Sequence, residues 1–347
     1  MIQDYNYMFN EQLYNSPYHD IDLSKYSFLI TGGAGFIGSN LVEYLLRYKA
    51  GHVRVLDDLS NGYFNNIKDF IELPNFEFIQ GDIRNLETCT RAVNGMNFIS
   101  HQAALGSVPR SIADPISSNE VNINGFLNML MAAKDSPTLQ QMVYAASSST
   151  YGDSPLLPKV EGAEGNPLSP YAVTKLVNEL YADVFSRVYG LNTIGLRYFN
   201  IFGPKQNPNN PYAAVIPIFC KHFIENTQLT IYGDGNTSRD FTFVENAVQA
   251  NILALLSINT NQINKHEVFN VACGDQISLN EMVMLLRNIS TKSIEIKYST
   301  ERKGDVKHSK ASIVKLNTFC GFKPKIKFPE GLEIVYNWYK SNKYDIK

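Results

Sequence analysis

The chain has 347 residues, enough for roughly two units of about 150 residues or for one large α/β unit with an attached lobe. Charged residues make up 18% and apolar residues 44%, which excludes a disordered, solvating chain, and a net charge of −2 offers no basic footprint for nucleic acid. No apolar stretch approaches the ~20 residues of a membrane span, and Met1–Tyr26 is polar without a signal-peptide core, so a cytoplasmic globular protein is expected.

Residues 1–26 read as a peripheral N-terminal extension. Beyond them short apolar runs alternate with helical patterns. Strands are predicted at Ser27–Thr31, His52–Leu56, Phe76–Gln80, Asn97–His101 and Gln141–Ala146, and helices at Phe36–Tyr48 and Asn119–Asp135. This alternation implies a doubly wound parallel (Rossmann) sheet, covered on both faces. A long helix is predicted over Tyr171–Tyr189, with a strand at Asn192–Tyr198. Residues 27–200 are read as the cofactor-binding domain. Residues 201–347, which end in a helix near Glu330–Ser341, are read as a smaller α/β substrate lobe partly interleaved with it. Cys89, Cys220, Cys273 and Cys320 are scattered without a CxxC pair, so no metal site is expected.

Gly32, Gly35 and Gly38 form GxxGxxG at the first strand-to-helix junction. Gly32 permits the turn, Gly35 lets backbone approach a pyrophosphate, and Gly38 allows close packing of the helix. The helix N-terminus then offers free N–H groups to phosphate. Asp57 follows nineteen residues after Gly38, at the end of the second strand. A carboxylate there accepts both hydroxyls of an adenosine ribose and repels a 2′-phosphate, which selects NAD over NADP.

Tyr171 and Lys175 form YxxxK at the start of the long helix, on one face at i, i+4. A nearby ammonium favours the phenolate and so tunes tyrosine toward a base for an alcohol proton. Ser147, Ser148 and Ser149 end the preceding strand, where ligand chemistry occurs in this class of sheet.

With these residues in place, the chain resembles the extended short-chain dehydrogenase/reductases, in the branch of NAD-dependent nucleotide-sugar epimerases and dehydratases. The supporting stretches include TGGAGFIGSN (31–40), HQAALGSVPRSI (101–112), SSSTYGD (147–153), SPYAVTK (169–175), LRYFNIFGP (196–204), GDGNTSRDF (233–241) and RKGD (302–305). The resemblance implies Gly32, Gly35, Phe36, Ile37 and Gly38 at the pyrophosphate, with Asp82 and Ile83 at adenine. It implies Gln102, Ala103, Ala104 and Asn122 along the cofactor, and Phe199 near the nicotinamide. Ser147, Tyr171 and Lys175 would be catalytic, with Tyr171 and Lys175 also touching the cofactor.

For the substrate the resemblance implies Arg239 and Arg302 at a diphosphate, Asp305 at a ribose, Asn200 at the diphosphate sugar, and Ala214, Val215 and Tyr232 around uracil. Ser107, Ser148 and Ser149 would reach the sugar. Ser309 would gate its 2-substituent, being small enough to admit an N-acetyl group. The expected activity is 4-epimerisation of UDP-N-acetylhexosamines, or of their uronates. A 4,6-dehydratase is disfavoured because Ser148 and Ser149 stand where that branch carries an Asp-Glu pair, and a decarboxylase because the serine stretch lacks its nearby Glu. A catalytically silent NAD-binding regulator would be expected to have lost serine, tyrosine or lysine. A homodimer through a helix pair that includes Tyr171–Tyr189 is a further expectation, with no nucleic-acid or membrane partner.

Overall fold

The computed structural model describes residues 10, 12–208, 214–259, 266–301 and 307–342. In chain order the first half contains β1 (Ser27–Thr31), α1 (Phe36–Arg47), β2 (His52–Asp57), β3 (Phe76–Gln80), α2 (Leu86–Val93), β4 (Phe98–His101), α3 (Val108–Ala113), α4 (Pro115–Asn119), α5 (Phe126–Lys134) and β5 (Gln141–Ser147). Then follow α6 (Pro170–Tyr189), β6 (Thr193–Tyr198), β7 (Ile201–Phe202), α7 (Val215–Glu225), β8 (Leu229–Tyr232), β9 (Ser238–Arg239), β10 (Thr242–Phe243) and α8 (Val244–Leu255). The chain continues through β11 (His266–Val271), β12 (Ile277–Ser278), α9 (Leu279–Ser290), β13 (Ile296–Ser299), α10 (Val314–Cys320) and α11 (Phe328–Asn342).

Seven strands form one parallel sheet in the order β11-β6-β5-β4-β1-β2-β3. Side chains alternate along each strand between two apolar layers. Phe28 and Ile30 of β1 enter the core shared with α1 and α8, whereas Leu29 enters the core shared with α2, α5 and α6. Both faces are therefore covered, which is why these strands are continuous apolar runs rather than alternating ones. The strand order reverses between β1 and β4, so the carboxyl ends of β1, β4, β5 and β6 open onto a common crevice.

The chain after residue 200 does not form a separate block. Helix α8 packs on α1, β4, β5 and β6, and β11 adds the seventh strand beside β6. Helices α7, α9 and α11 and the β8–β13 pair form the smaller lobe.

The N-terminal segment differs from its expected peripheral role. Leu13, Tyr14, Tyr18 and Leu23 are buried in the core. The Tyr18 ring stacks on Tyr44 of α1 at 5.2 Å, and its hydroxyl bonds Glu245 of α8. The Tyr14 hydroxyl donates to Asn40 Oδ1 at 2.8 Å. Buried tyrosines are tolerated here because each hydroxyl has a partner. Composition alone hides this, since a Tyr- and Asn-rich stretch reads as polar.

Candidate active site

The loop between β1 and α1 is shaped by two glycines. Gly32 has φ of +66°, and a Cβ there would lie 2.7 Å from the Ala103 main-chain nitrogen. A Cβ on Gly38 would lie 2.1 Å from the Gly32 carbonyl, so this glycine closes the helix onto the turn itself. Gly35 precedes α1 without any side-chain cap, which leaves the leading amides of the helix to an anion. The Asp57 carboxylate accepts from Ala34 N at 2.9 Å and from Leu59 N at 2.8 Å. Burial pushes its carboxyl up, while these backbone donors act in the other direction.

These features border a cleft of about 410 Å³. Gly32, Gly35, Phe36, Ile37, Gly38, Asp57, Asp82, Ile83, Gln102, Ala103 and Ala104 line it, and so do Ser147, Tyr171, Lys175 and Asn200. The anion-binding helix end and the Ser-Tyr-Lys group thus share one cleft. Gly106 also borders it, with open space beside its Cα.

Tyr171 is fixed by the start of α6. The Ser169 side chain caps the helix on Ala172 N at 3.1 Å, Pro170 opens it, and Tyr171 N donates to Ser111 Oγ at 3.0 Å. Lys175 follows one turn later, 4% exposed, with Nζ donating to the Ala145 carbonyl at 2.8 Å and lying 5.9 Å from the centre of the Tyr171 ring. Ser147 Oγ accepts from both Ser149 N at 3.1 Å and Ser149 Oγ at 2.8 Å. With both lone pairs occupied, its own proton is left to donate, and Tyr171 is its hydrogen-bond partner.

Burial adds to the electrostatics expected from the Tyr171–Lys175 spacing. Burial pushes the Tyr171 phenol up, opposed by the Ser147 bond. Burial also pulls the Lys175 ammonium down to about 8, opposed by the carboxylate of Glu179. Neighbouring His101 is pulled down to about 3, first by burial and then by the charge of Lys175, so it is neutral.

Several expected residues sit elsewhere. Phe199 is buried with Tyr151, Ala272 and Ala311 and does not border the cleft; its neighbour Tyr198 does. Successive residues leaving a strand face opposite sides, so one position decides which ring meets the cleft. Asn122 is likewise buried behind the cleft wall. It bonds Leu105 N at 2.8 Å, Leu105 O at 3.1 Å and Thr174 Oγ1 at 3.1 Å, and so shapes the wall without lining it. Ser107 caps α3 by accepting from Arg110 N, and Ser149 is engaged with Ser147. Neither these two nor Ser148 lines the cleft. Ser309 is half-buried, held by its N–H to Ser238 O at 3.1 Å, and lines neither this cleft nor the cavity beside it. Arg302 and Asp305 lie outside the described residues.

Sequence reasoning missed Tyr198, which lines the cleft while its hydroxyl bonds Gln102 Oε1 at 3.1 Å and accepts from Asn251 Nδ2 at 2.7 Å. It also missed Ser60, Asn61 and Gly62, which line the cleft beside Asp57. Their position directly after the ribose acid was the available signal.

A second cavity of about 340 Å³ adjoins the first, sharing Asn200 and Ile201 as a common wall. Ala214, Val215, Tyr232 and Arg239 line it together with Phe219, Ile231 and Phe241. An apolar slot with one guanidinium suits a flat base attached to phosphate. Among the described residues, no group of three or more potential ligands could hold a metal ion, and no helix is long and apolar enough to cross a membrane.

The NAD dependent epimerase/dehydratase family matches residues 28–272. The chain belongs to this family. The UDP-glucose 4-epimerase of Mycolicibacterium smegmatis is 31% identical over 314 residues, covering 90% of this chain and 98% of that protein. The UDP-N-acetylglucosamine 4-epimerase of Methanobrevibacter ruminantium M1, solved with UDP-N-acetylmuramic acid, is 36% identical, with a TM-score of 0.85 over 91% of this chain and 99% of that one. The UDP-glucuronic acid 4-epimerase of Bacillus cereus, solved with UDP-glucuronic acid and NAD, is 30% identical, with a TM-score of 0.83 over 91% and 99%. The family's cofactor is NAD, and the cleft fits it. An uncapped helix end with Gly32, Gly35 and Gly38 suits its pyrophosphate, and Asp57 suits an unphosphorylated ribose.

Proposed function

We propose that the protein is an NAD-dependent 4-epimerase of UDP-N-acetylhexosamines, interconverting UDP-N-acetylglucosamine and UDP-N-acetylgalactosamine. The observation that carries this reading is the convergence of Ser147, Tyr171 and Lys175 on a cleft that shares Asn200 and Ile201 with the adjoining Arg239 cavity. A nucleotide in the second cavity directs its sugar toward Tyr171.

Tyr171 takes the proton from the 4-hydroxyl, while Ser147 donates to the reacting oxygen. Bound NAD would supply the hydride acceptor and donor for carbon 4. Lys175 places its ammonium where it favours the Tyr171 phenolate. Asn200 and Arg239 hold the diphosphate end while the 4-keto sugar turns its other face, after which Tyr171 returns the proton and carbon 4 is inverted. No acid–base pair follows Ser147, since the next positions are Ser148 and Ser149, so elimination or decarboxylation has no supporting residue there.

A neutral sugar is favoured over the uronate by charge. Among the described residues lining the first cleft, Lys175 is the one cation, and one of its Nζ donors is used by Ala145 O. A uronate carboxylate bound there without a guanidinium partner would be costly. We assign Arg302 and Asp305 to the nucleotide on the strength of the family resemblance.

We further propose a homodimer through α6. Leu180, Val184, Val188 and Tyr189 are exposed along this helix, and Ile112 and Ile116 of α3 and α4 are 63% and 71% exposed beside it. Incubation with a panel of UDP-sugars, separated by electrophoresis and followed for NADH, tests the activity. Epimerisation of the N-acetylated pair without net NADH is expected. Conversion confined to uronates, or accumulation of NADH, would overturn it.

A further inference from the structure

A row of side chains on α6 continues beyond the two residues already placed in the reaction. Tyr171, Lys175 and Glu179 follow at intervals of four, which stacks them along one stripe of the helix. Glu179 is 7% exposed and accepts a two-pronged fork from Arg197 of β6, Nε to Oε1 at 2.8 Å and Nη2 to Oε2 at 2.7 Å. Arg197 is 4% exposed, bonds Glu164 on its remaining edge, and lies 4.9 Å from the centre of the Tyr151 ring. None of these three charged residues lines either cavity.

A buried ion pair is a poor device for stability alone, because desolvation offsets much of the attraction. The position of this one is informative. Lys175 is an ammonium buried with one carbonyl acceptor, and the nearest carboxylate along its helix is Glu179. The other titratable groups around the row are neutral or are bound elsewhere. His101 of β4 and His266 of β11 are both held uncharged by burial, and burial keeps the Tyr144 phenol of β5 protonated. Glu164 acts through Arg197, and Asp183, the next acid on α6, pairs with Arg187. Glu179 is the carboxylate that favours the charged form of Lys175.

We propose that Glu179, fixed in orientation by Arg197, is a positioning residue that keeps Lys175 charged beneath Tyr171 and so holds Tyr171 competent as a base. The inference rests on Tyr171 being the base of the proposed reaction. It assigns the fork an electrostatic task carried through Lys175, distinct from cementing α6 to β6.

The test compares wild type, Glu179→Gln and Glu179→Asp. Ionisation of Lys175 is followed by the NMR shift of its ε-methylene carbon against pH, with Lys175→Met subtracted to isolate the one ammonium. Glu179→Gln removes the charge and keeps one of the two acceptors that Arg197 uses. It is expected to move Lys175 ionisation downward by about one pH unit, and to lower kcat near pH 8 about fivefold at unchanged KM. Glu179→Asp restores the charge and is expected to recover most of that shift. Superimposable Lys175 titrations for Glu179→Gln and wild type, with only thermal stability reduced, would overturn the proposal. If Glu179→Gln does not fold, the wild-type protein decides through the carbon resonance of the Glu179 carboxyl. An ionised carboxylate across the active pH range is required, and a protonated one overturns the idea. The titration needs no substrate, so failure of the UDP-sugar assignment would be seen separately in wild-type turnover.

Discussion

Asn122 grips the main chain of Leu105 from both sides, its Oδ1 accepting from the Leu105 N–H at 2.8 Å and its Nδ2 donating to the Leu105 carbonyl at 3.1 Å. The same Nδ2 reaches Thr174 Oγ1, one residue before Lys175. One amide therefore joins the wall of the cofactor cleft to the helix that carries the base. Asn122→Ala leaves these buried groups without partners, at a cost of about 1–3 kcal/mol. A lower Tm together with weaker NAD binding is expected by calorimetry, and unchanged NAD affinity would show that the grip does not shape the cleft.

Tyr171→Phe removes one hydroxyl and keeps the ring. NAD and UDP-sugar binding should persist while turnover falls by ~10³-fold or more, because proton transfer is lost and the binding groups stay. Turnover near the wild-type value would remove Tyr171 from its role.

Asp57→Ala takes away the carboxylate at the end of β2. NAD should bind more weakly and NADP less weakly, so that the preference between them shifts by about tenfold or more, measured by fluorescence titration of both. An unaltered ratio would mean that Asp57 serves only the turn at Ala34 and Leu59.

Lys175 gives a pH dependence of stability. Burial lowers its folded value to about 8 against the usual 10.5, so in that window the unfolded chain binds a proton that the folded chain does not. Stability should therefore rise with pH from about 8 to about 10.5, by on the order of 3 kcal/mol in total. Denaturation of Lys175→Met should lack this increase. An identical pH slope in both proteins would exclude Lys175 as its source.

Much of this site was legible in the sequence because local geometry dictates it. Gly32 and Gly38 sit where any Cβ collides with backbone, and Tyr171 and Lys175 share a helix face by spacing alone. The strands at Ser27–Thr31 and Phe76–Gln80 coincide with their apolar runs. What escaped depends on three-dimensional direction. Phe199 and Tyr198 are neighbours, and Asn200, at φ of +39°, bends the chain just after β6, so composition does not say which ring meets the cleft. The predicted helix Asn119–Asp135 is interrupted by a wider turn at Glu120–Gly125, and Asn122 in that segment spends its amide on Leu105. The partners of Asn122 and Glu179 lie 17 and 18 residues away in sequence, beyond any periodicity signal.

The tyrosines of the N-terminal segment bear on where this protein can be cut. Family resemblance begins at residue 28, which invites trimming at β1. Yet Tyr18 spans from α1 to Glu245 of α8, and Tyr14 holds Asn40, whose Nδ2 also reaches the Pro204 carbonyl at the entrance to the smaller lobe. A fragment starting at Ser27 would bare the aromatic flank of α1 to water, and self-association through that flank is its expected fate.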